Sequence, residues 1–145
     1  MDLKIGTTFL LMTISMSACK HESSQIPETQ RSLVFPKGQS IQNNNFTGNV
    51  WLEMLVEADS MNLNSVGSVT FESGARTHWH LHPGGQILLA IDGEGYYQEK
   101  GSPKRTLKKG DIVKCPPNIP HWHGTTEQSD FIQIAITSRA EGPTV

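Results

Sequence analysis

The sequence has little cysteine, little net charge and no hydrophobic run long enough to span a membrane as a helix. Two of its 145 residues are cysteine, which excludes a dense disulfide framework. The 12 basic and 14 acidic side chains leave a net charge of −2. This balance argues against a nucleic-acid partner, because such proteins normally present a basic face. Charged residues make up only 18% of the chain, which is too few for a disordered protein. The length fits one globular domain.

The longest apolar stretch covers residues 5–18 and is broken by Ser and Thr. It is too short for a membrane-spanning helix and is typical of the hydrophobic part of a secretory signal. The four residues Met16–Cys19 resemble the lipobox of bacterial lipoproteins. We therefore expect residues 1–18 to be a lipoprotein-type signal peptide and lipidated Cys19 to anchor the protein in the bacterial cell envelope, in the periplasm or at the outer membrane. Without lipidation, the expected location is periplasmic or secreted.

After this stretch the chain divides into residues 19–45, a polar tether and N-terminal arm, and residues 46–145, a domain of short strands. Gly, Pro and Asn turns separate apolar runs at spacings of 8–12 residues in most places, which is typical of a β-sandwich or barrel. The pattern therefore predicts an all-β domain. The predicted strands are Val50–Val56, Val66–Glu72, Thr77–His82, Gln86–Asp92, Tyr96–Glu99, Arg105–Lys108, Ile112–Cys115, His121–Thr125 and Phe131–Thr137.

Five of the six histidines lie in two short stretches, at positions 78, 80, 82, 121 and 123. Residues two apart in a strand share a face, so His80 and His82 should point the same way, and His121 on a later strand can supply a third ligand. Neutral imidazole binds manganese, iron, nickel and zinc. The pattern therefore predicts a mononuclear site for a divalent metal ion.

The spacing of these residues resembles the two motifs of the cupin family. The first motif matches Gly74, His80, His82, Gln86 and Gly93, and the second matches Gly110, Pro116, Asn118, His121 and Thr125. The resemblance implies a double-stranded β-helix, or jelly-roll barrel, whose metal ion is held by His80, His82, Gln86 and His121. Residues 76–86 and 120–124 are most similar to manganese-dependent hydroxynitrile lyases and to cupins associated with carboxymuconolactone decarboxylase. Manganese is therefore the expected ion, with iron, zinc and nickel as alternatives.

The chain departs from the cupin motifs at two positions. Asn118 stands where the second motif has glycine, a mild change because Asn tolerates the left-handed backbone conformation. Gln86 stands where the family usually has a glutamate ligand. A neutral ligand leaves the full charge on a divalent ion, and we expect this to strengthen its Lewis acidity and its affinity for anions.

Strand parity also suggests which side chains surround the ion. His123 shares a face with His121 and is a candidate general base or hydrogen-bond donor, the alternative being a residue that orients another group. Thr77 is a candidate hydrogen-bond donor to a bound ligand. The resemblance implies a proton-handling histidine where this chain has Gln133, which puts cyanohydrin cleavage in doubt. The residues expected to line the pocket are Gly67, Val69, Leu88, Ala90, Gln133 and Thr137.

Three functions remain open at this point. The first is a metal-dependent lyase that acts on a small carbonyl, cyanohydrin-like or carboxylate substrate. The second is an iron- or manganese-dependent dioxygenase, and the third is a cupin that binds a ligand or a metal without catalysis. In each case the partner is a small molecule, and the resemblance implies a homodimer or a larger assembly that pairs through the strand at Val50–Val56.

Overall fold

Ten β-strands form the protein in the computed structural model, which describes residues 33–145. The signal peptide predicted for residues 1–18, the lipidation site at Cys19 and the tether up to residue 32 lie outside the described residues. Within the described part, no helix is long and apolar enough to cross a membrane. The strands are β1 (Gln39–Ser40), β2 (Phe46–Thr47), β3 (Val50–Val56), β4 (Asn64–Phe71), β5 (Arg76–Thr77), β6 (Gln86–Glu99), β7 (Arg105–Lys108), β8 (Ile112–Cys115), β9 (His121–Thr125) and β10 (Phe131–Ser138).

The strands pair antiparallel and form a curled sheet that folds over itself. One side has the order β1-β3-β4-β10-β6, with β8 on the far edge of β6. On the other side, β9 and β7 flank the second half of β6, and β5 and β2 follow β9. The all-β jelly-roll architecture expected from the sequence is therefore confirmed.

Strand β6 belongs to both sides of the barrel because it bends near its middle. Residues 86–93 pair with β10 and residues 95–99 pair with β9. Gly93, at the bend, has φ of 76°. A Cβ at this position would collide with the backbone oxygen of Asp130, so only glycine fits there without rearrangement. The sequence predicts two strands here with a turn between them, whereas the glycines allow one strand to continue through the bend.

The core lies between the two sides and is built from alternate residues of the strands. Phe71, Leu88, Leu107, Val113 and Phe131 are each at most 2% exposed. Fully burying one such side chain contributes about 1.5–3 kcal/mol. Val69 of this core, and Leu52 and Ala135, which pack against it, also line a cavity beside the histidines.

The N-terminal arm from residue 33 onwards is part of the same compact unit as the barrel. Strand β1 pairs with β3. The Glu72 carboxylate accepts hydrogen bonds from Lys37 Nζ (2.7 Å), Asn49 Nδ2 (2.9 Å) and Trp51 Nε1 (2.9 Å). These bonds, led by the one from Lys37, lower the pKa of Glu72 to about 2. The folded unit therefore begins before residue 46, where the sequence places the domain boundary.

The C-terminal segment, residues 139–145, folds back towards the histidines. Arg139 N donates to Leu63 O (2.7 Å), which fixes the start of the segment. Leu81 and Val145 exchange two backbone hydrogen bonds of 2.8 and 3.0 Å. The end of this segment is thereby held beside the residue that lies between His80 and His82.

Candidate metal centre

A short bridge between two chain segments brings the histidines together. The sequence predicts a strand over Thr77–His82, but β5 ends at Thr77. Beyond it, His80 and His121 form an isolated β-bridge with backbone hydrogen bonds of 3.0 and 2.8 Å. Their rings consequently lie 4.5 Å apart between centroids, and the ring of His82 lies 5.0 Å from that of His80.

Three of these imidazoles are positioned to bind one metal ion. His80, His82 and His121 each offer a ring nitrogen, and the three nitrogens lie within 4.8 Å of one another. The Nδ1–H of His80 donates to the carbonyl of His78, and that of His121 donates to the carbonyl of Ile119, both at 2.9 Å. Such bonds fix the ring orientation and leave Nε2 with the lone pair that a metal ion requires.

The third ligand ring is held by a residue of the C-terminal segment. Nδ1 of His82 lies 2.9 Å from Thr144 Oγ1, and with the imidazole N–H donating to the hydroxyl, Nε2 again remains free. Arg139 Nη1 donates to the same hydroxyl at 3.4 Å. Thr144 is not predictable from the sequence, because it lies 62 residues from His82 and no local pattern marks it.

Gln86 offers a carbonyl oxygen beside the three imidazoles. Its Nε2 donates to Thr137 Oγ1 at 2.9 Å, and this bond fixes which end of the amide is free. The Gln86 side chain is buried, and its Oε1 has no hydrogen-bond partner in the described part of the chain. The free oxygen is the atom that a metal ion would use.

Five buried side-chain nitrogen and oxygen atoms lack a hydrogen-bond partner within residues 33–145, and all of them belong to this cluster. They are His82 Nε2, Gln86 Oε1, His121 Nε2, His123 Nε2 and Gln133 Oε1. An unsatisfied buried polar group costs about 1–3 kcal/mol, so a folded protein tolerates few of them. Neutral nitrogen and oxygen donors suit manganese, iron, nickel and zinc, and the residues present therefore fit a divalent metal ion.

His123 is a fourth imidazole next to these three. Its ring lies 5.2 Å from that of His80 and 6.1 Å from that of His121, between centroids. Gln133 Nε2 lies 3.0 Å from His123 Nδ1, and because the amide nitrogen can only donate, Nδ1 is the acceptor. Neutral His123 thus carries its proton on Nε2. The backbone N–H of His123 donates to Thr77 Oγ1 at 3.1 Å.

Burial keeps the imidazoles neutral. Desolvation lowers the pKa of His80 to about 4 and, together with the nearby His80 and His121, that of His82 to about 3. Desolvation also lowers the pKa of His121, and it lowers that of His123 well below the usual range. Neutral imidazole is the form that binds metal ions, so the site is ready to do so near neutral pH.

The cluster forms one wall of a cavity of about 340 Å³. Its polar side carries His80, His82, Gln86 and His123, and its apolar side is formed mainly by Phe46, Leu52, Met54, Val69 and Ala135. The alternation of Val50, Leu52 and Met54 along β3 is a signal from which Leu52 and Met54 could have been predicted as lining residues. His78, Trp79, Arg139 and Thr144 also line the cavity.

The residues predicted to line the pocket separate into two groups. Gly67, Val69 and Thr137 line the cavity, as does Thr77, the predicted hydrogen-bond donor. Leu88, Ala90 and Gln133 do not, and this part of the expectation needs correction. They point inward as parity requires, but Leu88 and Ala90 are packed in the hydrophobic core, and Gln133 is fully buried and contacts Nδ1 of His123. The alternation of side chains along a strand predicts which face a side chain lies on, but not how deep in the barrel it lies.

Two further residues with reactive side chains, His78 and Cys115, lie beside the centre. His78 is exposed, and its Nε2 is 3.0 Å from Thr47 Oγ1. Cys115 is 1% exposed and pairs with Gln86 across β8 and β6. Burial raises the pKa of the Cys115 thiol to about 11, so it is protonated and unreactive near neutral pH.

Comparisons with known proteins agree with this geometry. The cupin domain family model matches residues 67–137. The chain is 40% identical over 100 residues to the (R)-mandelonitrile lyase of Granulicella tundricola, which covers 69% of this chain and 76% of that protein. It is 30% identical over 66 residues to acireductone dioxygenase 1 of Pectobacterium atrosepticum, covering 43% of this chain and 38% of that protein.

A solved structure shows the same architecture over most of the chain. The cupin-like protein of Thermotoga maritima superposes with a TM-score of 0.75 and 46% identity, covering 79% of this chain and 87% of that one. The chain belongs to the cupin family, as the antiparallel barrel, the three convergent histidines and these relatives together show.

Proposed function

We propose that this protein is a metal-dependent enzyme of the lyase type, which acts on a small molecule with a carbonyl, cyanohydrin-like or carboxylate group. The observation that carries the proposal is the convergence of unpartnered Nε2 atoms and the Gln86 oxygen on one side of a cavity. The similarity to (R)-mandelonitrile lyase supports the reaction class. One divalent ion, manganese in the first instance, is the proposed cofactor.

The ligand set is His80, His82, Gln86 and His121. All four are neutral, since the imidazole pKa values are lowered and an amide does not titrate in this range. A divalent ion bound there supplies Lewis-acid chemistry and keeps its full positive charge. The protein contributes ring orientation through the Nδ1 bonds and a cavity whose apolar side limits the access of water.

His123 is proposed to hold a proton at the edge of this site. It lines the cavity, and its Nε2 has no hydrogen-bond partner in residues 33–145. Because Gln133 donates to Nδ1, His123 presents Nε2–H as a donor towards a bound substrate. Its place in the reaction is therefore to donate a hydrogen bond from Nε2–H to a group that carries, or develops, negative charge, such as the leaving group.

A dioxygenase is the second candidate, because the chain is also similar to acireductone dioxygenase 1, over 66 residues. The match covers only 38% of that protein, against 76% for the lyase, and we therefore rank it second. The same histidines and Gln86 suit iron as well as manganese. A non-catalytic binding role is the outcome if neither reaction is detected.

The test is metal analysis of protein purified without added metal, followed by assays after loading with manganese, iron, zinc or nickel. We expect one ion per chain and metal-dependent cleavage of mandelonitrile to benzaldehyde and hydrogen cyanide. Substrate-dependent oxygen uptake would instead support the dioxygenase. Tight ligand binding without turnover of any substrate tried would contradict the enzymatic proposal.

Paired histidine variants make this test specific to the site. His121→Ala should abolish metal binding, because His121 Nε2 is one of the three converging nitrogens. His78→Ala is the matched control, since His78 lies two residues from the ligand His80 but is exposed and contacts Thr47 instead. Equal metal content in both variants would contradict the assignment of the ligands.

The attachment and assembly expected from the sequence also remain proposals. We propose lipidation of Cys19, to be tested by mass spectrometry of the membrane fraction with Cys19→Ala as control. We propose a homodimer or larger assembly that pairs through β3. In the structure β1 covers Trp51 and Leu52 of this strand, so Glu53–Val56 is the part offered to a second copy. A monomeric mass in light scattering would contradict the assembly.

A further inference from the structure

The cavity combines an apolar wall with a positive charge at its mouth. Phe46, Leu52, Met54 and Val69 supply apolar surface, and Trp79, 48% exposed, stands at the rim. A surface of this kind binds a hydrocarbon or aromatic body by removing it from water. The polar wall opposite, with the candidate metal ligands, fixes the orientation of whatever enters.

No acidic side chain balances the charge of this cavity. Among the residues that line it there is neither Asp nor Glu. The candidate ligands that line it, two imidazoles and the Gln86 amide, bring no negative charge. Arg139 is therefore the charged side chain of the lining, and any divalent ion at the neutral ligands adds to its field.

Arg139 is held at the mouth of the cavity. Its Nη1 donates to Thr144 Oγ1 (3.4 Å), which contacts His82 Nδ1 (2.9 Å), so two hydrogen bonds in series connect the guanidinium to a candidate metal ligand. In the described part of the chain, no carboxylate forms an ion pair with Arg139. The remaining N–H donors of the guanidinium are therefore available to a ligand.

We propose that the cavity selects small apolar molecules that carry a carboxylate, and that Arg139 binds this carboxylate at the mouth while the other end of the molecule faces the metal ligands. The planar fork of an arginine matches the two oxygens of a carboxylate, and such charge-assisted pairs are stronger than neutral hydrogen bonds. The inference rests on the proposed function only for the group that faces the metal. It makes Arg139 a specificity-determining residue.

The experiment uses two ligands of the same shape and different charge. 4-(Hydroxymethyl)benzoate has an aromatic body, a carboxylate at one end and a hydroxyl oxygen at the other, and 4-(hydroxymethyl)benzamide replaces the carboxylate by a neutral amide. Binding of each is measured by calorimetry, once with manganese-loaded protein and once in EDTA. We expect the carboxylate to bind the wild type about tenfold more tightly than the amide, which corresponds to about 1.4 kcal/mol.

Variants identify the source of this preference. Arg139→Gln should bring the two affinities to within about threefold in both metal states, because a glutamine carries no charge. Arg105→Gln is the matched control, since Arg105 is exposed on β7 and does not line the cavity, and it should keep the full preference. Manganese stoichiometry is recorded for each variant.

Three results would overturn the proposal. One is equal affinity of the wild type for acid and amide. Another is a preference that survives Arg139→Gln, which would place the carboxylate elsewhere, on the metal ion for example. The third is no binding of either ligand up to millimolar concentration. Failure of the proposed function would appear differently, as the absence of stoichiometric manganese. The calorimetric titration in EDTA would still show whether Arg139 binds the carboxylate.

Discussion

Replacing Thr144 by valine should weaken metal binding although residue 144 is not a ligand. Thr144 Oγ1 lies 2.9 Å from His82 Nδ1 in a ring that is 5% exposed. Valine keeps the shape of threonine and removes the acceptor. His82 then either leaves its Nδ1–H unpartnered or moves the proton to Nε2, where it blocks the metal ion.

The size of the effect follows from either outcome. An unpartnered buried N–H costs about 1–3 kcal/mol, which corresponds to roughly a 10- to 100-fold weaker metal affinity. Removal of groups that orient metal-bound histidines elsewhere costs a similar 10- to 100-fold, so the two estimates agree. Thr144→Ser keeps the hydroxyl and should remain within about threefold of the wild type, because it loses only a methyl group.

The assay is competition for manganese with a chelator of known affinity, combined with urea unfolding in EDTA. A positioning role predicts that Thr144→Val changes the metal affinity much more than the stability of the metal-free protein. Wild-type affinity in Thr144→Val would refute the reasoning. So would an equal loss in Thr144→Ser, since the serine still offers its oxygen to His82.

Three other predictions test the fold and the electrostatics of the site. Gly93→Ala should destabilise the protein by roughly 3 kcal/mol or more in urea unfolding, because the added Cβ would collide with the Asp130 backbone. Gly101→Ala is the control and should cost only about 1 kcal/mol, because Gly101 has φ of 86° but open space around its Cβ position. Equal losses of stability in the two variants would contradict the role assigned to Gly93 at the bend. Gln86→Glu should weaken the binding of cyanide or formate to the manganese-loaded protein by on the order of tenfold or more. A negatively charged ligand ~5 Å from the anion repels it by about 3 kcal/mol at an effective dielectric constant of 20. An anion affinity equal to that of the wild type would refute this prediction. The stability of the metal-free protein in EDTA should fall as the pH drops from about 6.5 towards 3. Folding lowers the pKa of His80 to about 4 and that of His82 to about 3, so the unfolded chain binds more protons than the folded one in this range. Equal urea midpoints at pH about 7 and about 5 would contradict the prediction.

Most strands could be predicted because turn residues mark both of their ends. The predicted limits of Val50–Val56, Arg105–Lys108, Ile112–Cys115 and His121–Thr125 coincide with those of the structure. Asn118 has φ of 59°, the left-handed conformation expected where the motif has glycine. The error at β6 has a definite cause. The glycines around position 93 have the composition of a turn, and only the pairing of β6 with β9 and β10 shows that they bend a continuous strand.

Only the part of the candidate site that depends on the alternation of neighbouring residues could be predicted from the sequence. Parity placed His80 and His82 on one side, and the structure brings them together although no regular strand runs through them. The contacts of Thr144 and Arg139 depend on a segment that folds back from the far end of the chain, so no pattern near the histidines could reveal them. The depth of Leu88 in the core likewise depends on the side chains packed around it.

Two amides give this centre its chemical character. Gln86, in place of the glutamate usual in the family, leaves a bound ion with both of its charges, and Gln133 fixes the proton of His123 on the side of the cavity. The polar wall thus offers hydrogen bonds and ligand atoms but no negative charge of its own. Arg139 adds a further positive charge at the mouth. Because no acidic side chain lines the cavity, a ligand that carries negative charge, or develops it during the reaction, complements the charge of the ion, and both the proposed lyase chemistry and the proposed carboxylate selectivity use such a ligand.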